Sequence, residues 1–448
     1  MASAAEQLAA NLNVDAFAKA TELHKRLIFT LVAMVVYRIG CYVPIPGIDI
    51  AKFAAAFSGQ ANGLLGMMNM FSGGAVRNMA VFALNVMPYI SASIIVQLLG
   101  TVYPPWEKLK KEGGEAGRKT LNQYTRYLTV ALALFQSFGI SMGLQSGGMA
   151  DHPGIFFTLT TVATLTGGTM FLMWLGEQIT SRGVGNGVSL IIFAGIVAVF
   201  PRYIHQAFES ARTGAMSGGA LLVIFLLIIG VTCAIVFIER SQRRLLVQYP
   251  KRQVGNRMFG GDTSFLPLKI NTSGVIPPIF ASSLLLLPAT VMGFAANANL
   301  PPWLQWLPGA VGQLQHGRPA FMVLYGALII FFTFFYTSVV FNPEETAENL
   351  RKYGGFLPGI RPGKRTAEYL DFVLTRLTVI GAAYIAIVCL LPEAMIGFYN
   401  APFYMGGTSV LIVVSVTMDT VTQIQSHLLA HQYEGLIKKS KLRGSRGR

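Results

Sequence analysis

Residues 71–100 read FSGGAVRNMAVFALNVMPYISASIIVQLLG. The stretch opens on a Ser-Gly-Gly hinge and continues as an apolar run that carries one proline, Pro88. Its middle, VMPYISAS at residues 86–93, recurs as VIPPIFAS at residues 275–282. Valine, proline, isoleucine, alanine and serine fall at matching places in the two copies. Because each copy lies in the second long apolar segment of its part of the chain, the repeat predicts two related halves that meet at these segments.

The composition indicates a membrane protein. Of the 448 residues, 53% are hydrophobic and only 12% are charged. Apolar runs recur at about 20 residues, the length that a helix needs to cross hydrocarbon. Lipid accepts only helices and closed barrels, because every backbone polar group has to be satisfied within the protein. Barrel strands alternate over short segments, whereas these runs are continuous. The predicted fold class is therefore an all-α polytopic membrane protein.

Ten segments are predicted to span the membrane, and basic residues orient them. With the N-terminus in the cytoplasm, all but six of the 35 lysine and arginine residues lie on the cytoplasmic side. This bias predicts that both termini are cytoplasmic. Five spans in each half then give the halves opposite orientations, so the repeat is predicted to be inverted. The six exceptions are Arg38, Lys52, Arg77, Arg202, Arg212 and Arg318. The predicted spans are residues 27–43, 76–101, 128–144, 155–176, 184–200, 218–238, 273–294, 320–341, 377–392 and 404–424.

The polar segments set the predicted domain limits. Residues 1–26 form a cytoplasmic N-terminal segment and residues 425–448 a basic cytoplasmic tail. The first half covers residues 27–217 and the second half covers residues 218–424. Two long basic cytoplasmic loops, 239–273 and 342–376, interrupt the second half. They are either ordinary topology signals or docking surfaces for a phosphate backbone or an acidic protein.

A short apolar piece precedes the second span. Residues 62–69 read NGLLGMMN, followed by Met70, Phe71 and the Ser-Gly-Gly hinge. The piece is too short to span. It is predicted to re-enter the membrane as a half-helix, with an amphipathic turn at the interface as the alternative. The glycine-containing hinge is expected to have little side-chain packing to hold it.

Signals for catalysis or for cofactor binding are weak. Cys41, Cys233 and Cys389 are far apart in the sequence and are expected to be free. His427 and His431 stand one helical turn apart without an evident third ligand, so no metal site is predicted. The sequence also contains no phosphate-binding GxxxxGK loop and no evident nucleophile–base pair. The protein is expected to be neither an enzyme nor a cofactor carrier.

Two function classes remain open on these grounds. One is a channel for polypeptides or other large solutes, with cytoplasmic docking loops. The other is a secondary transporter built on an inverted repeat. Transporters usually keep an ionisable group in mid-membrane, whereas here Arg38 and Asp419 sit only near the ends of the first and last spans. The channel is favoured for this reason.

Several long motifs carry a family resemblance. They are the stretch at residues 71–99, MFLMWLGEQITSRGVGNGVSLIIFAGIV, KINTSGVIPPIFASS, VFNPEETAENLRKYGGFLPGIRPG and FYMGGTSVLIVVS. Across essentially the whole chain they resemble the bacterial SecY family of protein-conducting channels. The resemblance implies ten transmembrane helices in two inverted five-helix halves around a central pore. It also implies a lateral gate between the second and seventh spans, through which transmembrane segments pass into lipid.

The resemblance further implies partners and a location. The family works in the bacterial inner membrane as a heterotrimer with SecE and SecG, and the SecA ATPase or the ribosome drives it. Signal peptides, nascent chains and membrane lipids are its other expected contacts. The two basic loops would dock the motor or the ribosome, with Arg361 matching the family's key arginine.

Site residues follow from the same resemblance, position by position. The pore ring matches Val86, Ile90, Val188, Ile192, Ile279 and Ile412; its two valines, where isoleucine is common, predict a slightly wider ring. Polar residues of the lateral gate match Ser91, Gln136 and Asn271. The plug, at about residues 62–74, matches Leu64, Leu65, Met67, Met68, Met70, Phe71, Ser72, Gly73 and Gly74. Partner docking is assigned to Arg243, Arg244, Lys251, Arg252, Arg257, Arg351, Lys352, Arg361, Lys364 and Arg365.

Overall fold

The protein is seen here in a computed structural model, which describes residues 21–60, 64–111, 114–214, 217–250, 252–254, 257–259, 263–295, 318–399 and 407–444. The chain packs into two compact units. The first comprises Met1–Arg202, Gly293–Ala298 and Val416–Arg448, and the second comprises Tyr203–Met292 and Asn299–Ser415. The predicted boundary between halves at residues 217 and 218 stays a prediction, because packing within units does not measure repeat symmetry.

The first unit consists of helices joined by turns. Helix α6 packs against both α4 and α7, and α1 packs against α7. The last turns of α8 belong to the second unit, and most of α14 belongs to the first. The helices are α1 (Thr21–Gly40), α2 (Ile50–Gln60), α3 (Leu64–Phe71), α4 (Met87–Val102), α5 (Pro104–Lys111), α6 (Gly114–Ser146), α7 (Ile155–Arg182) and α8 (Gly187–Arg212), with α14 (Gly407–Gly444) at the end of the chain.

The second unit combines helices with a pair of small antiparallel sheets. Strand β1 pairs with β4, with Gln242 opposite Lys269 and Gln248 opposite Thr263, and β2 pairs with β3. Helices α11 and α12 pack against α13. The elements are α9 (Gly218–Arg240), β1 (Gln242–Gln248), β2 (Arg252–Val254), β3 (Arg257–Phe259), β4 (Thr263–Lys269), α10 (Ile276–Ala295), α11 (Pro319–Val340), α12 (Pro343–Lys352) and α13 (Lys364–Tyr399).

Both copies of the repeated motif begin a helix. Helix α4 starts one residue after Val86, with Pro88 in its first turn. Helix α10 starts one residue after Val275, with Pro277 and Pro278 in its first turn. Proline suits this position, because the first backbone N–H groups of a helix have no intrahelical acceptor. The sequence repeat is therefore also a repeat of local structure.

The predicted span 76–101 is wrong over its first part. Residues 72–86 form successive turns, and the helix begins only at Met87. Met79 and Asn85 have φ angles of 41° and 50°, in the left-handed region that a right-handed helix cannot continue through. The apolar composition of this stretch therefore reflects burial of turns rather than a continuous helix.

Seven described helical segments are long and apolar enough to cross a membrane. Helices α4 and α10 are shorter apolar helices. On α9, Leu222, Leu226 and Phe237 are 60%, 61% and 75% exposed in the isolated chain. Such a continuous apolar face requires lipid or a partner to cover it. The seven segments are Gly114–Ser146, Ile155–Arg182, Gly187–Arg212, Gly218–Arg240, Pro319–Lys352, Lys364–Pro392 and Gly407–Leu429.

Helix α2 was not predicted from the sequence. Asp49 precedes it, and one carboxylate oxygen accepts hydrogen bonds from the backbone N–H groups of Ala51 and Lys52, each at 3.1 Å. Hydrogen bonds from Lys52, together with its charge, lower the pKa of Asp49. This is the arrangement of a helix N-cap.

Candidate functional site

The aliphatic residues predicted to line a pore lie at the starts of helices. In the first unit, Val86 and Ile90 are one helical turn apart at the start of α4, and Val188 and Ile192 are one turn apart at the start of α8. Val86, Ile90 and Ile192 are 0%, 5% and 3% exposed, and Val188 is half-buried. Each pair thus occupies a single face of its helix.

The second unit contributes the other two aliphatic positions. Ile279 lies in the first turn of α10, at the place that Ile90 holds in α4, and Ile412 lies in the second turn of α14. Both are buried. That the six residues form one ring stays a prediction.

The short piece predicted to re-enter the membrane is helix α3, eight residues long. Met68, Met70 and Phe71 are all buried, the last two almost completely. This burial argues against the alternative of a turn at the membrane interface, where one face would remain exposed. Residues 62 and 63 and the side chains of Leu64, Leu65 and Met67 lie outside the described part of the structure.

The C-terminal end of α3 is seated against helix α8. A Cβ atom placed on Gly195 would lie only 2.6 Å from the carbonyl oxygen of Phe71, and one placed on Gly73 would lie 3.0 Å from the Cα of Gly195. Real Cβ atoms do not approach a backbone oxygen so closely, so only glycine at position 195 allows this contact. Gly195 lies three residues beyond Ile192 on α8. The end of α3 thus packs about one helical turn from a predicted ring residue.

The Ser72-Gly73-Gly74 hinge is closely packed, so the expectation of little side-chain packing is wrong. Ser72 is 1% exposed, and its hydroxyl donates to the Asn69 carbonyl oxygen at 3.2 Å. Hydrogen bonds also hold the residues on either side of the hinge. The side-chain amide of Asn85 donates to the carbonyl oxygen of Phe71 at 2.5 Å. The backbone N–H of Arg77 donates to the Asn69 side chain at 2.8 Å. The two glycines have φ angles of 67° and 90°, which allows the chain to turn tightly here. The sequence correctly places a turn here, but the turn is fixed rather than free.

The polar residues predicted at a lateral gate are buried. Ser91 on α4 is 6% exposed and Gln136 on α6 is 9% exposed. Within the described part of the first unit, no hydrogen bond joins these two side chains to each other. Asn271, between β4 and α10 in the second unit, is 3% exposed.

The side chain of Asn271 makes a full set of hydrogen bonds within its own unit. Its amide nitrogen donates to the carboxylate of Glu239 at 2.6 Å and to the carbonyl oxygen of Gly274 at 3.1 Å. Its oxygen accepts from the Ser273 hydroxyl at 3.0 Å and from the backbone N–H of Gly274 at 3.1 Å. A side-chain amide offers two donor hydrogens and two lone pairs. Another bond across a gate would therefore require one of these four to break.

Glu239 and Asn271 together close the base of a β-hairpin. Glu239 lies near the end of α9, just before β1, and Asn271 lies two residues beyond the end of β4. A Cβ atom placed on Gly381 of α13 would lie 2.9 Å from the carbonyl oxygen of Ile270, so α13 packs tightly beside this base. The bond between Asn271 and Glu239 therefore connects the end of α9 with the segment that leads into α10.

The two basic loops, 239–273 and 342–376, are packed into one structure. The backbones of Gln248 on β1 and Phe356 in the other loop exchange two hydrogen bonds, each at 2.9 Å. Behind the strands, apolar side chains from both loops and from α13 form a buried cluster. Its fully described members include Leu245, Val247, Leu268, Ala347, Leu357, Leu370, Val373 and Leu377. This packing was not predicted from the sequence.

We define the docking surface as those basic side chains that the resemblance assigns to partner docking and that the structure describes. All seven are exposed. Lys251 lies outside the described residues, and Arg252 and Arg257 are described only as backbone in β2 and β3. The surface consists of Arg243, Arg244, Arg351, Lys352, Arg361, Lys364 and Arg365.

Arg361 sits in a tightly folded turn. Gly359 and Gly363 on either side have φ angles of 80° and 102°. The carbonyl oxygen of Arg361 accepts a hydrogen bond from the Thr366 hydroxyl at 2.9 Å. Within the described part of the chain, no carboxylate forms an ion pair with the Arg361 guanidinium. The turn thus presents this charge to solvent from a fixed backbone.

Other candidate groups do not converge on a site. Among the described residues there is no cluster of three His, Cys, Asp or Glu side chains that could hold a metal ion. Cys41 and Cys389 are buried free thiols, and Cys233 is an exposed one. His427 is exposed, and the side chain of His431 lies outside the described set.

Comparison with known proteins decides the family. The sequence profile of SecY matches residues 80–421, well over half of the chain. The chain belongs to the SecY family. Protein translocase subunit SecY of Rickettsia conorii is 51% identical over 428 residues, which cover 94% of this chain and 97% of that protein. The family resemblance inferred from the motifs is thereby confirmed.

Solved structures agree with the SecY fold. One described as a protein-conducting channel has a TM-score of 0.65, at 17% identity over 91% of this chain and 93% of that one. Sec61 in the canine ribosome–channel complex from the endoplasmic reticulum has a TM-score of 0.61, at 17% identity over the same shares of the two chains. The predicted fold class, a polytopic ten-helix membrane protein, is confirmed.

Three residues that shape these regions were not singled out from the sequence. Gly195 permits the contact with α3, Asn85 binds the Phe71 carbonyl oxygen beside the Ser72-Gly73-Gly74 hinge, and Glu239 binds Asn271. The sequence contains a usable signal only for Glu239, as a carboxylate at the edge of an otherwise uncharged span. Gly195 is a glycine in a predicted helix, and Asn85 is an asparagine in an apolar run. Nothing in the sequence near either residue indicates that it contacts the Phe71 carbonyl oxygen.

Proposed function

We propose that the protein is a protein-conducting channel that moves unfolded secretory polypeptides across the membrane and releases transmembrane segments into lipid through a lateral gate. The observation that carries the proposal most directly is the seating of α3 against α8, about one turn from Ile192. A short buried helix beside aliphatic pore-lining positions suits a closed channel with its plug in place.

The aliphatic ring would form the constriction. A channel for unfolded chains has to pass side chains of any size and still hold back ions. Hydrogen-bonding walls would retain the passing backbone, whereas aliphatic walls offer it no partner and can exclude water by dewetting. Two observations support this role. None of the ring side chains carries a polar group that would hold water, and Val86, Ile90, Ile192, Ile279 and Ile412 are buried.

Opening would have two parts. A signal peptide with an apolar core would enter between α4 and α10 at the gate and take up a position with one face in lipid. The plug would leave its seat on α8. The hydrogen bonds around the plug hinge make the seated state a defined one, so the channel would rest closed. Transport would then require the signal peptide to favour the open state by differential binding.

The docking surface would bind the driving partner. Seven exposed cations on one packed structure suit a partner with phosphate groups or an acidic surface, such as the ribosome or the SecA ATPase. Sec61 in a ribosome–channel complex is among the similar structures, which supports ribosome docking. SecE and SecG would complete a heterotrimer, and the exposed apolar faces of α1 and α9 offer surface for such small membrane partners or for lipid.

The proposed location is the bacterial inner membrane, with both termini in the cytoplasm. The distribution of basic residues supports this orientation. The protein would be a channel subunit without an active site, so the chemical energy for transport would be released by its partner.

Reconstitution tests the proposed function. Vesicles containing the protein with SecE and SecG would be supplied with SecA, ATP and a radiolabelled preprotein. Protease-protected preprotein is expected only when all components are present. A secondary transporter would take up a small solute without SecA and would protect no preprotein. Co-purification with ribosomes through the docking surface gives a second, independent readout.

A further inference from the structure

Arg38 is a half-buried cation near the end of helix α1. One of its guanidinium nitrogens donates a hydrogen bond to the carbonyl oxygen of Gly73, the central residue of the plug hinge. Another donates to the Tyr42 hydroxyl at 2.6 Å, and the guanidinium carbon lies 4.7 Å from the centre of the Tyr42 ring. A single side chain thus connects α1 to the segment that positions α3.

We propose that Arg38 is a positioning residue that latches the plug in its seated state. The inference rests on the proposed function of α3 as a plug. Release of the plug would require the guanidinium to give up the Gly73 carbonyl, and return of the plug would restore the bond. Tyr42 holds the guanidinium in the orientation that the bond needs.

The environment of the latch favours a tight bond. The Gly73 backbone lies against Gly195 on one side, and a Cβ atom at position 73 would be 3.1 Å from the Tyr37 hydroxyl. Tyr37 and Ser72 are each 1% exposed. Little space therefore remains for water to replace the guanidinium at the Gly73 carbonyl. Arginine suits this role because its planar group donates in two directions at once, whereas lysine presents a single point charge.

A native thiol reports on the latch. The Sγ atom of Cys41 lies 3.6 Å from the carbonyl oxygen of Ser72, and the residue is 1% exposed. Movement of the hinge would uncover this thiol. The other two cysteines, Cys233 and Cys389, can be replaced by serine so that alkylation is measured at Cys41 alone.

The test compares resting ion leak and Cys41 alkylation in vesicles that hold the full heterotrimer. Removing a hydrogen bond from a charged donor is expected to shift the balance between seated and released plug by roughly ten- to hundredfold. Arg38→Met should therefore raise both leak and alkylation rate. Arg38→Lys should show a smaller rise in the same direction, and it keeps the positive charge if the methionine variant fails to accumulate.

Matched controls separate the possible outcomes. Lys52→Met removes another cation on the same predicted side of the membrane, one that pairs with Asp49 at 3.1 Å, and should leave both readouts unchanged. Deletion of residues 62–71 should raise the leak. If the deletion raises the leak while both Arg38 variants behave like the parent protein, the latch is overturned and the plug stands. If the deletion leaves the resting leak unchanged, the plug function fails, and the latch fails with it.

Discussion

Replacing Asn271 by leucine should lower the barrier that keeps the proposed gate closed. The change removes the hydrogen bond to the Glu239 carboxylate, worth about 1.5–3 kcal/mol for a bond to a charged group. It also leaves the Gly274 backbone N–H without its acceptor, at a further cost of about 1 kcal/mol. The segment that starts α10 should therefore be destabilised by about 2.5–4 kcal/mol, the sum of these two effects. Export of a preprotein with a shortened signal core should rise about tenfold for each 1.4 kcal/mol by which the closed state is destabilised relative to the open state.

The assay measures protease-protected preprotein in reconstituted vesicles, with full-length and shortened signals side by side. Glu239→Leu should relax signal recognition in the same direction but by less, because it breaks the bond to Asn271 and leaves the Gly274 N–H its acceptor. Glu239→Gln retains an acceptor oxygen and should have a smaller effect. If Asn271→Leu relaxes signal recognition while Glu239→Leu does not, Asn271 acts through a contact other than Glu239, and the reasoning is refuted.

Three further predictions concern docking, plug and ring. Arg361→Glu should impair export while the protein still accumulates in the membrane, since it reverses a charge fixed on the docking surface; unchanged SecA and ribosome binding with normal export would contradict this. Deleting residues 62–71 should raise resting ion conductance without abolishing export. Gly195→Ala should also raise the conductance, because the new methyl group would collide with the Phe71 carbonyl. If both variants conduct no more than the parent protein, the plug role is contradicted. Ile90→Asp and Ile279→Asp should both increase ion leak by wetting the constriction, and a leak no larger than that of an aspartate on the lipid-facing side of α9 would exclude a role in the seal.

Apolar segments and the repeat predicted the helices well, because lipid demands long hydrophobic helices and leaves few alternatives. The repeat also marked the places where α4 and α10 begin, since the prolines of both copies suit a first turn. The turns at residues 72–86 could not be predicted from apolarity, because buried turns and spanning helices have the same composition. The backbone of these turns is fixed by the Asn85 side chain and by contacts with α1 and α8. Those two helices lie far from the turns in the sequence.

The two basic loops show a different limit of prediction from the sequence. The basic charge of these loops predicted a docking surface, but their β-strands were not predicted from the sequence. On β1, Leu245 and Val247 are buried, but Leu246 between them is apolar as well. On β4, Phe265, Leu266 and Leu268 are all apolar, so the period of two that is typical of a half-buried strand is blurred in the sequence. The bond between Asn271 and Glu239 could not be predicted from the sequence. The two residues lie at opposite ends of a hairpin, and only the pairing of its strands brings them together.

The most direct test of a protein-conducting channel is contact between the proposed ring and a polypeptide in transit. Single cysteines placed in turn at Val86, Ile90, Val188, Ile192, Ile279 and Ile412 would be combined with a preprotein stalled halfway, which carries one cysteine in its translocating segment. Cross-links are expected from all six positions, and none from a cysteine at the lipid-facing position of Leu226, which is 61% exposed. If the ring positions fail to cross-link while the Leu226 position does, the polypeptide takes another route, and the central claim is wrong.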